Sequence, residues 1–135
     1  MTDAARLIGL PTDGLRAALL VGLAAFFVLA GVAHFVRPGV FKAIVPPGLP
    51  APGVLVALSG AAEIAGGLGL LIEPLRAAAG LGLVVLLAAV FPANVFMARE
   101  AARFRRVAPS YVLWARLPLQ PLLMGAVAWA SGLVG

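Results

Sequence analysis

Residues 54–72 read VLVALSGAAEIAGGLGLLI, an apolar run with one carboxylic acid, Glu63, at its middle. At a rise of about 1.5 Å per residue, a helix of about 19 residues matches the roughly 30 Å hydrocarbon core of a bilayer. The run therefore predicts a transmembrane helix that holds Glu63 near the midplane. An ionisable group at that depth costs on the order of 3 kcal/mol, so we expect it to be turned away from lipid and paired, hydrated or protonated.

Glu63 has two interpretations. Ser59, Glu63, Gly66 and Gly67 recur at three- and four-residue spacing, so one face of the helix is small and polar and must meet other helices. On that face Glu63 either joins helices through a single hydrogen bond or serves a ligand, a proton or a substrate. We favour the second, because ionisable residues inside membrane spans commonly mark functional sites.

Composition places the whole chain among integral membrane proteins. Of its 135 residues, 63% are hydrophobic and 11% are charged, whereas a globular domain averages about 25% charged residues. The net charge of +5 does not indicate nucleic-acid binding, because most basic residues lie beside the ends of hydrophobic runs. The sequence contains no cysteine, which excludes disulfides, thiol chemistry and iron–sulfur ligation, and its one histidine and five acids lead us to expect no metal.

The hydrophobic pattern predicts an all-α fold: an integral membrane four-helix transmembrane bundle with a proline-rich interfacial loop after the first helix. Arg6 and Arg16 precede the first apolar run as in a signal peptide, but this run is longer than a usual h-region, so we interpret it as a retained span. One domain, residues 15–135, follows a short polar leader, residues 1–14. The spans are expected at about residues 15–36, 54–72, 76–98 and 111–134.

The first loop, residues 37–53, contains five prolines and cannot be one continuous helix. Residues 40–45 are expected to form one amphipathic turn with Phe41 and Ile44 in lipid. The rest of the loop is stiff, and it either covers one mouth of the bundle as a lid or is a plain linker.

Basic residues predict the orientation of the bundle. The side with the first and third loops carries Arg37, Lys42, Arg99, Arg103, Arg105, Arg106 and, just inside, Arg116. The positive-inside rule therefore predicts loops 37–53 and 99–111 in the cytoplasm and both termini outside, although Arg6 and Arg16 argue the other way. Arginines of the third loop are expected to contact anionic lipid head groups: Arg99, Arg103, Arg105 and Arg106.

Polar residues of the four spans fall in one layer. His34, Asn94, Arg116 and Gln120 lie within roughly 15 Å of the loop-side ends of their spans, with Glu63 at the lower edge of that layer. Three prolines in the same layer each free a backbone carbonyl that needs another partner in lipid: Pro92, Pro118 and Pro121. Together these features predict a small polar pocket open toward the loop side.

Each member of the layer also has a plainer interpretation. Arg116 extends to the head groups, His34 satisfies a helix end, and Asn94 and Gln120 join helices. The shared depth favours the joint pocket. Because a nearby guanidinium keeps a buried carboxylate ionised, we expect a Glu63–Arg116 link, direct or through water or a ligand, with His34 as the second candidate.

Five motifs give the chain a resemblance to a known family. They are GVAHFVRP (31–38), FKAIVPPGLP (41–50), SGAAEIAGGLGLL (59–71), VFPANVFMA (90–98) and WARLPLQPLL (114–123). In these motifs the chain resembles the DoxX-like family of small four-span bacterial membrane proteins, over nearly all of its length from the first span onward. The resemblance implies a bacterial inner-membrane location, and the family's recurring polar positions fall on five residues: His34, Glu63, Asn94, Arg116 and Gln120.

The resemblance also suggests a redox context. The family takes its name from a subunit of an archaeal thiosulfate:quinone oxidoreductase, and other members are associated with redox or detoxification complexes. This chain departs from the redox-linked relatives that carry cysteines, since it has none.

Three functions remain open at this point. The first is a non-catalytic membrane module that binds a small amphiphile, a quinone or a lipid, and docks a redox-enzyme partner or forms a homo-oligomer. The second is a subunit of a quinone-linked oxidoreductase, which needs a partner because no residue here can carry electrons. The third, a small transporter or proton pathway through Glu63 and His34, ranks last because the other half of the spans offers almost no polar group. Catalysis by the chain alone is not expected, because Ser59 is more natural as a packing hydroxyl than as a nucleophile.

Overall fold

The structure is a computed structural model that describes residues 8–135, so the first half of the expected leader, residues 1–7, lies outside the described residues. Within the described range the chain forms helices and no strand. The elements, in chain order, are α1 (Gly14–Val36), α2 (Pro38–Ala43), α3 (Pro52–Leu71), a 3-10 turn (Glu73–Leu75), α4 (Arg76–Arg99) and α5 (Ser110–Ala130). The expectation of an all-α fold is confirmed.

Three helical segments of the described chain are long and apolar enough to cross a membrane: Gly14–Val36, Pro52–Leu71 and Glu73–Arg99. They correspond to the first three predicted spans and indicate a membrane protein. The fourth, α5, has 21 residues but does not reach the same mean hydropathy. The mean hydropathy of α5 is lowered by Arg116, Gln120 and two internal prolines. The polar residues that α5 contributes to the candidate site therefore also make it less apolar than the other three helices.

Local sequence explains where the helices begin and end. The Asp13 carboxylate accepts hydrogen bonds from the backbone N–H groups of Leu15 at 2.9 Å and Arg16 at 3.4 Å, which caps α1. Prolines occupy the first turns of both α2 and α3, where their missing N–H costs no helical hydrogen bond. α5 ends at Ala130 rather than near residue 134, because Gly132 follows with a φ of 84°.

The four long helices contact one another in the ring order α1, α3, α4, α5. Glycines bring α1 and α3 especially close: a Cβ atom added at Gly31 would lie 2.6 Å from the carbonyl oxygen of Gly60, and one added at Gly60 would lie 2.7 Å from the Cβ of His34. Small residues allow such close backbone approach between membrane helices. This contact fixes His34 of α1 against α3.

An apolar cluster closes the end of the bundle that carries the chain termini, here called the terminal side. It comprises Leu20, Leu23, Phe27, Leu70, Leu83, Leu87, Val127 and Ala130. At the same end the guanidinium of Arg16 lies over the ring of Trp129, 4.8 Å from its centroid, and so joins α1 to α5. The opposite end, with α2 and the 100–109 loop, is called the loop side.

Arg76 fastens the turn between α3 and α4. Its Nε donates to the carbonyl of Leu70 at 2.8 Å, and its Nη1 donates to the carbonyl of Gly9 at 3.1 Å. The side chain is buried. A residue that sequence reasoning counts as a topology signal therefore also satisfies the last turn of α3 and holds the segment before α1.

Candidate functional site

A cavity of about 830 Å³ lies among α1, α3, α4 and α5, mainly in their loop-side halves. Its wall is largely apolar, but all five residues of the predicted polar layer line it: His34, Glu63, Asn94, Arg116 and Gln120. Its volume falls in the range of about 300–1,000 Å³ that is typical of small-molecule pockets. The structure thus brings together residues that the sequence places only at a common depth.

His34 and Glu63 face each other across the contact between α1 and α3. The Nδ1 atom of His34 lies 3.2 Å from Oε2 of Glu63 and 2.8 Å from the carbonyl oxygen of Ala30. Both side chains are mostly enclosed, with 12% and 13% of their surfaces exposed. Nδ1 of His34 is within hydrogen-bond distance of the Ala30 carbonyl, and Oε2 of Glu63 is buried without a hydrogen bond within residues 8–135.

The structure shows no direct contact between Glu63 and Arg116. Nη1 of Arg116 instead lies 3.6 Å from the sulfur of Met97, and no carboxylate of the described chain forms an ion pair with it. The reason is geometric: the glycine contact presses His34 onto α3, whereas Arg116 sits on α5 and reaches toward the loop-side end of α4. A link between Arg116 and Glu63 through water or a ligand in the shared cavity stays a prediction.

Asn94 and Gln120 form a hydrogen-bonded chain between α4 and α5. Nδ2 of Asn94 donates to Oε1 of Gln120, and Nε2 of Gln120 donates to the backbone carbonyl of Leu87. Pro92 lacks the N–H that would bond the carbonyl of Ala88, and the Gln120 amide reaches the carbonyl of the residue before it, Leu87. These two amides therefore join α4 to α5, as the plainer interpretation predicts, and they also line the cavity.

The segment after α1 forms the loop-side wall of the cavity. The ring of Phe41 stacks on His34, with centroids 3.8 Å apart and planes 22° apart. Ile44, Val45, Pro46 and Leu49 line the same wall. The expectation that Phe41 and Ile44 dip into lipid is wrong, because both side chains turn toward the cavity.

The opposite wall is incomplete, between the loop-side halves of α1 and α5. Phe26 of α1 and Leu119 and Leu122 of α5 line the cavity and yet expose 52%, 56% and 68% of their surfaces. α1 and α5 meet at the terminal side, through the apolar cluster and the Arg16–Trp129 contact. The two helices therefore leave a lateral opening, here called the α1/α5 opening.

The four arginines predicted to contact anionic lipid are all exposed: Arg99, Arg103, Arg105 and Arg106. Arg103 lies near the rings of Phe96 and Phe104, at 6.0 and 5.8 Å from their centroids. Nε of Arg105 donates to the carbonyl of Ala102 at 3.4 Å. Contact of these arginines with anionic lipid stays a prediction.

Comparison with known families finds a match over most of the chain. Residues 23–133 match the model of a domain of unknown function, DUF8561. The chain belongs to this family. No curated protein and no solved structure matches it.

The DUF8561 region contains the whole polar layer and the cavity wall. Two of its features escaped sequence reasoning: the stacking of Phe41 and the contact of Gly31 with Gly60. The second has a signal in the sequence, because Gly31 precedes His34 and Gly60 precedes Glu63 by the same three residues. Residues three apart share a helix face. A glycine and a polar residue at this spacing on each of two helices therefore indicate that the two helices can approach closely at that point.

Proposed function

We propose that this chain is a non-catalytic membrane module that binds a small amphiphile, a quinone or a lipid, in the cavity among α1, α3, α4 and α5. The observation that carries the proposal is Glu63, whose Oε2 is buried and makes no hydrogen bond among the described residues, while its side chain lines a cavity of about 830 Å³. A buried acceptor without a partner costs about 1–3 kcal/mol, which a hydroxyl or an acid proton of the ligand's head group would offset.

The proposal includes a membrane arrangement. α5 crosses the bilayer as a fourth span, since α4 and α5 are joined by the Asn94–Gln120 chain and α1 meets α5 at the terminal side. Loops 37–53 and 99–111 then face the cytoplasm of a bacterial inner membrane, as the positive-inside rule favours. Membership of the DoxX-like family is part of this proposal and rests on the sequence motifs.

The other two functions fit the geometry less well. A quinone-linked oxidoreductase subunit would use the same cavity, but it needs a redox-enzyme partner that supplies the electron carrier. A transporter or proton pathway needs polar groups through the whole thickness of the bundle. The terminal-side core between Leu20 and Val127 is apolar and fully buried, which opposes that route.

A ligand screen on the full chain tests the proposal. A ligand that binds the folded state raises its stability in proportion to its occupancy, so unfolding temperatures are recorded in detergent with decylubiquinone, oleate and oleoyl lysophosphatidate, using the fluorescence of Trp114 and Trp129. We expect at least one probe to raise the unfolding temperature of the wild type. The same probe should cause a smaller increase in the Glu63→Gln variant. Glu73→Gln is the matched control, because Glu73 is an exposed acid outside the cavity. Equal responses of all three proteins to every probe would contradict the proposal.

A further inference from the structure

We infer that the ligand is a single-chain amphiphile with an anionic head group, a carboxylate or a phosphate, which Arg116 binds while the hydrocarbon chain leaves through the α1/α5 opening into the surrounding lipid. This inference rests on the proposed function and names the class of its ligand.

The charge of Arg116 sets the requirement for an anion. A guanidinium keeps its charge in any protein environment, and the neighbour of Arg116 is a thioether, Met97, at 3.6 Å, which is a weak acceptor. Charged groups inside a membrane span usually have a partner. The acid of the same cavity, Glu63, lies beside His34 and forms no ion pair with Arg116. Arg116 is exposed at the edge of the bundle and also lines the cavity, and it forms no ion pair with an acid of the described residues.

Carboxylate and phosphate groups suit this residue better than a neutral head group. The planar fork of guanidinium donors binds two oxygens of either anion at once, and such charge-assisted hydrogen bonds are roughly twice as strong as neutral ones. The carbonyl oxygens of a quinone would accept hydrogen bonds from Arg116 but would leave its charge uncompensated. The geometry thus favours the lipid alternative over the quinone.

The α1/α5 opening determines how the ligand enters. The loop-side mouth is covered by Phe41 and the residues that follow it, and the terminal side is closed by the apolar core. The rim of the opening carries Phe26, Leu119 and Leu122, which face lipid in a bilayer. A hydrocarbon chain can lie across this rim without meeting water, whereas a water-soluble anion would have to cross the hydrocarbon region.

The exposed third loop supplies such ligands. Basic side chains near a membrane surface attract anionic lipids with about 1 kcal/mol each. The loop between α4 and α5 exposes four arginines close to the loop-side end of the cavity: Arg99, Arg103, Arg105 and Arg106. They raise the local concentration of anionic amphiphiles in the leaflet to which the cavity opens.

Photo-labelling of the full chain in phosphatidylcholine nanodiscs tests the inference. The probes are three analogues with the same diazirine-bearing C18 chain: a fatty acid, a lysophosphatidate and a neutral alcohol. Labelled residues are located by peptide mass spectrometry, with excess unlabelled oleate as competitor. We expect competed labelling at Phe26, Leu119 and Leu122 by one or both anionic probes, and labelling by the fatty acid alone would identify the carboxylate as the preferred source.

Variants of Arg116 decide the role of charge. Arg116→Gln should reduce anionic labelling by at least about tenfold, and Arg116→Lys should retain part of it. Arg37→Gln, which alters an exposed arginine outside the third loop and outside the cavity lining, should leave the labelling unchanged. Equal labelling of the rim by the neutral alcohol, unaffected by Arg116→Gln, would overturn the anionic head group while leaving the proposed amphiphile function in place. Absence of competed labelling by all three probes would overturn both.

Discussion

The Nδ1 atom of His34 lies 3.2 Å from Oε2 of Glu63, across a helix contact that two glycines make possible. Gly31 stands three residues before His34 on α1, and Gly60 stands three residues before Glu63 on α3. Each glycine therefore shares a helix face with the polar residue that follows it. The approach of two backbones, rather than attraction between side chains, sets the geometry of the candidate site.

Gly60→Ala should disturb this geometry. The added Cβ would lie 2.7 Å from the Cβ of His34 and 3.0 Å from the carbonyl oxygen of Gly31, so α1 and α3 must separate. Overpacking of this kind costs about 1–3 kcal/mol, which is measured by unfolding in mixed micelles with increasing SDS. Gly22→Ala, on α1, is the control because its Cβ meets nothing within 4 Å. Similar unfolding of the two variants would show that the glycine contact is loose.

The His34–Glu63 pairing can be measured with a double-mutant cycle. His34→Ala and Glu63→Gln should show a coupling free energy of at least about 0.6 kcal/mol, the mean for polar contacts between membrane helices. The Arg116→Gln and Glu63→Gln pair should couple more weakly in ligand-free protein, because no direct Arg116–Glu63 contact exists in the described chain. A larger coupling free energy between Arg116 and Glu63 than between His34 and Glu63 would support the direct pairing of Arg116 with Glu63 instead.

The amide chain between α4 and α5 predicts a non-additive result. Gln120→Leu removes the partner of Asn94 and of the Leu87 carbonyl, so we expect a loss of about 1–2 kcal/mol in unfolding free energy. Asn94→Leu in the Gln120→Leu background should cost less than it does in the wild type, since it then removes a donor that already lacks a partner. Simple addition of the two losses would argue against the hydrogen-bonded chain.

The loop-side wall predicts a change in access to the cavity. The sequence has no cysteine, so Ser59→Cys introduces a single thiol into the cavity lining. Phe41→Ala removes the ring that stacks on His34 and should raise the labelling rate of this thiol by a water-soluble maleimide several-fold. Val40→Ala, an exposed neighbour, should not change the rate. Equal rates in the two variants would mean that Phe41 does not restrict entry from the loop side.

Sequence reasoning reached the all-α fold and the membership of the polar layer because both follow from spacing along single helices. Hydrophobic runs set the depth of each residue, and depth alone places His34, Asn94 and Arg116 near one another. Partner choice depends on rotation and tilt between helices, which a single sequence encodes only weakly. From charge alone, the sequence therefore predicts Arg116 as the neighbour of Glu63. In the structure the Gly31–Gly60 contact instead brings His34 next to Glu63.

The loop after α1 shows a second limit of sequence reasoning. Its prolines correctly exclude one long helix, and α2 is indeed only six residues long. The direction in which Phe41 points depends on what the bundle offers at that end. An aromatic ring at the edge of an apolar wall can face lipid or a cavity with equal hydrophobic gain, and here the His34 ring provides the stacking partner.

Native mass spectrometry of the full chain, released from mildly solubilised membranes and combined with lipid extraction, tests the central claim most directly. We predict that the wild type carries one amphiphile in stoichiometric amount, that Glu63→Ala loses it, and that Glu73→Ala, altered at an exposed acid outside the cavity, retains it. Equal levels of bulk lipid on all three proteins, with equal stability, would contradict the claim and reduce the polar layer to contacts that hold the helices together.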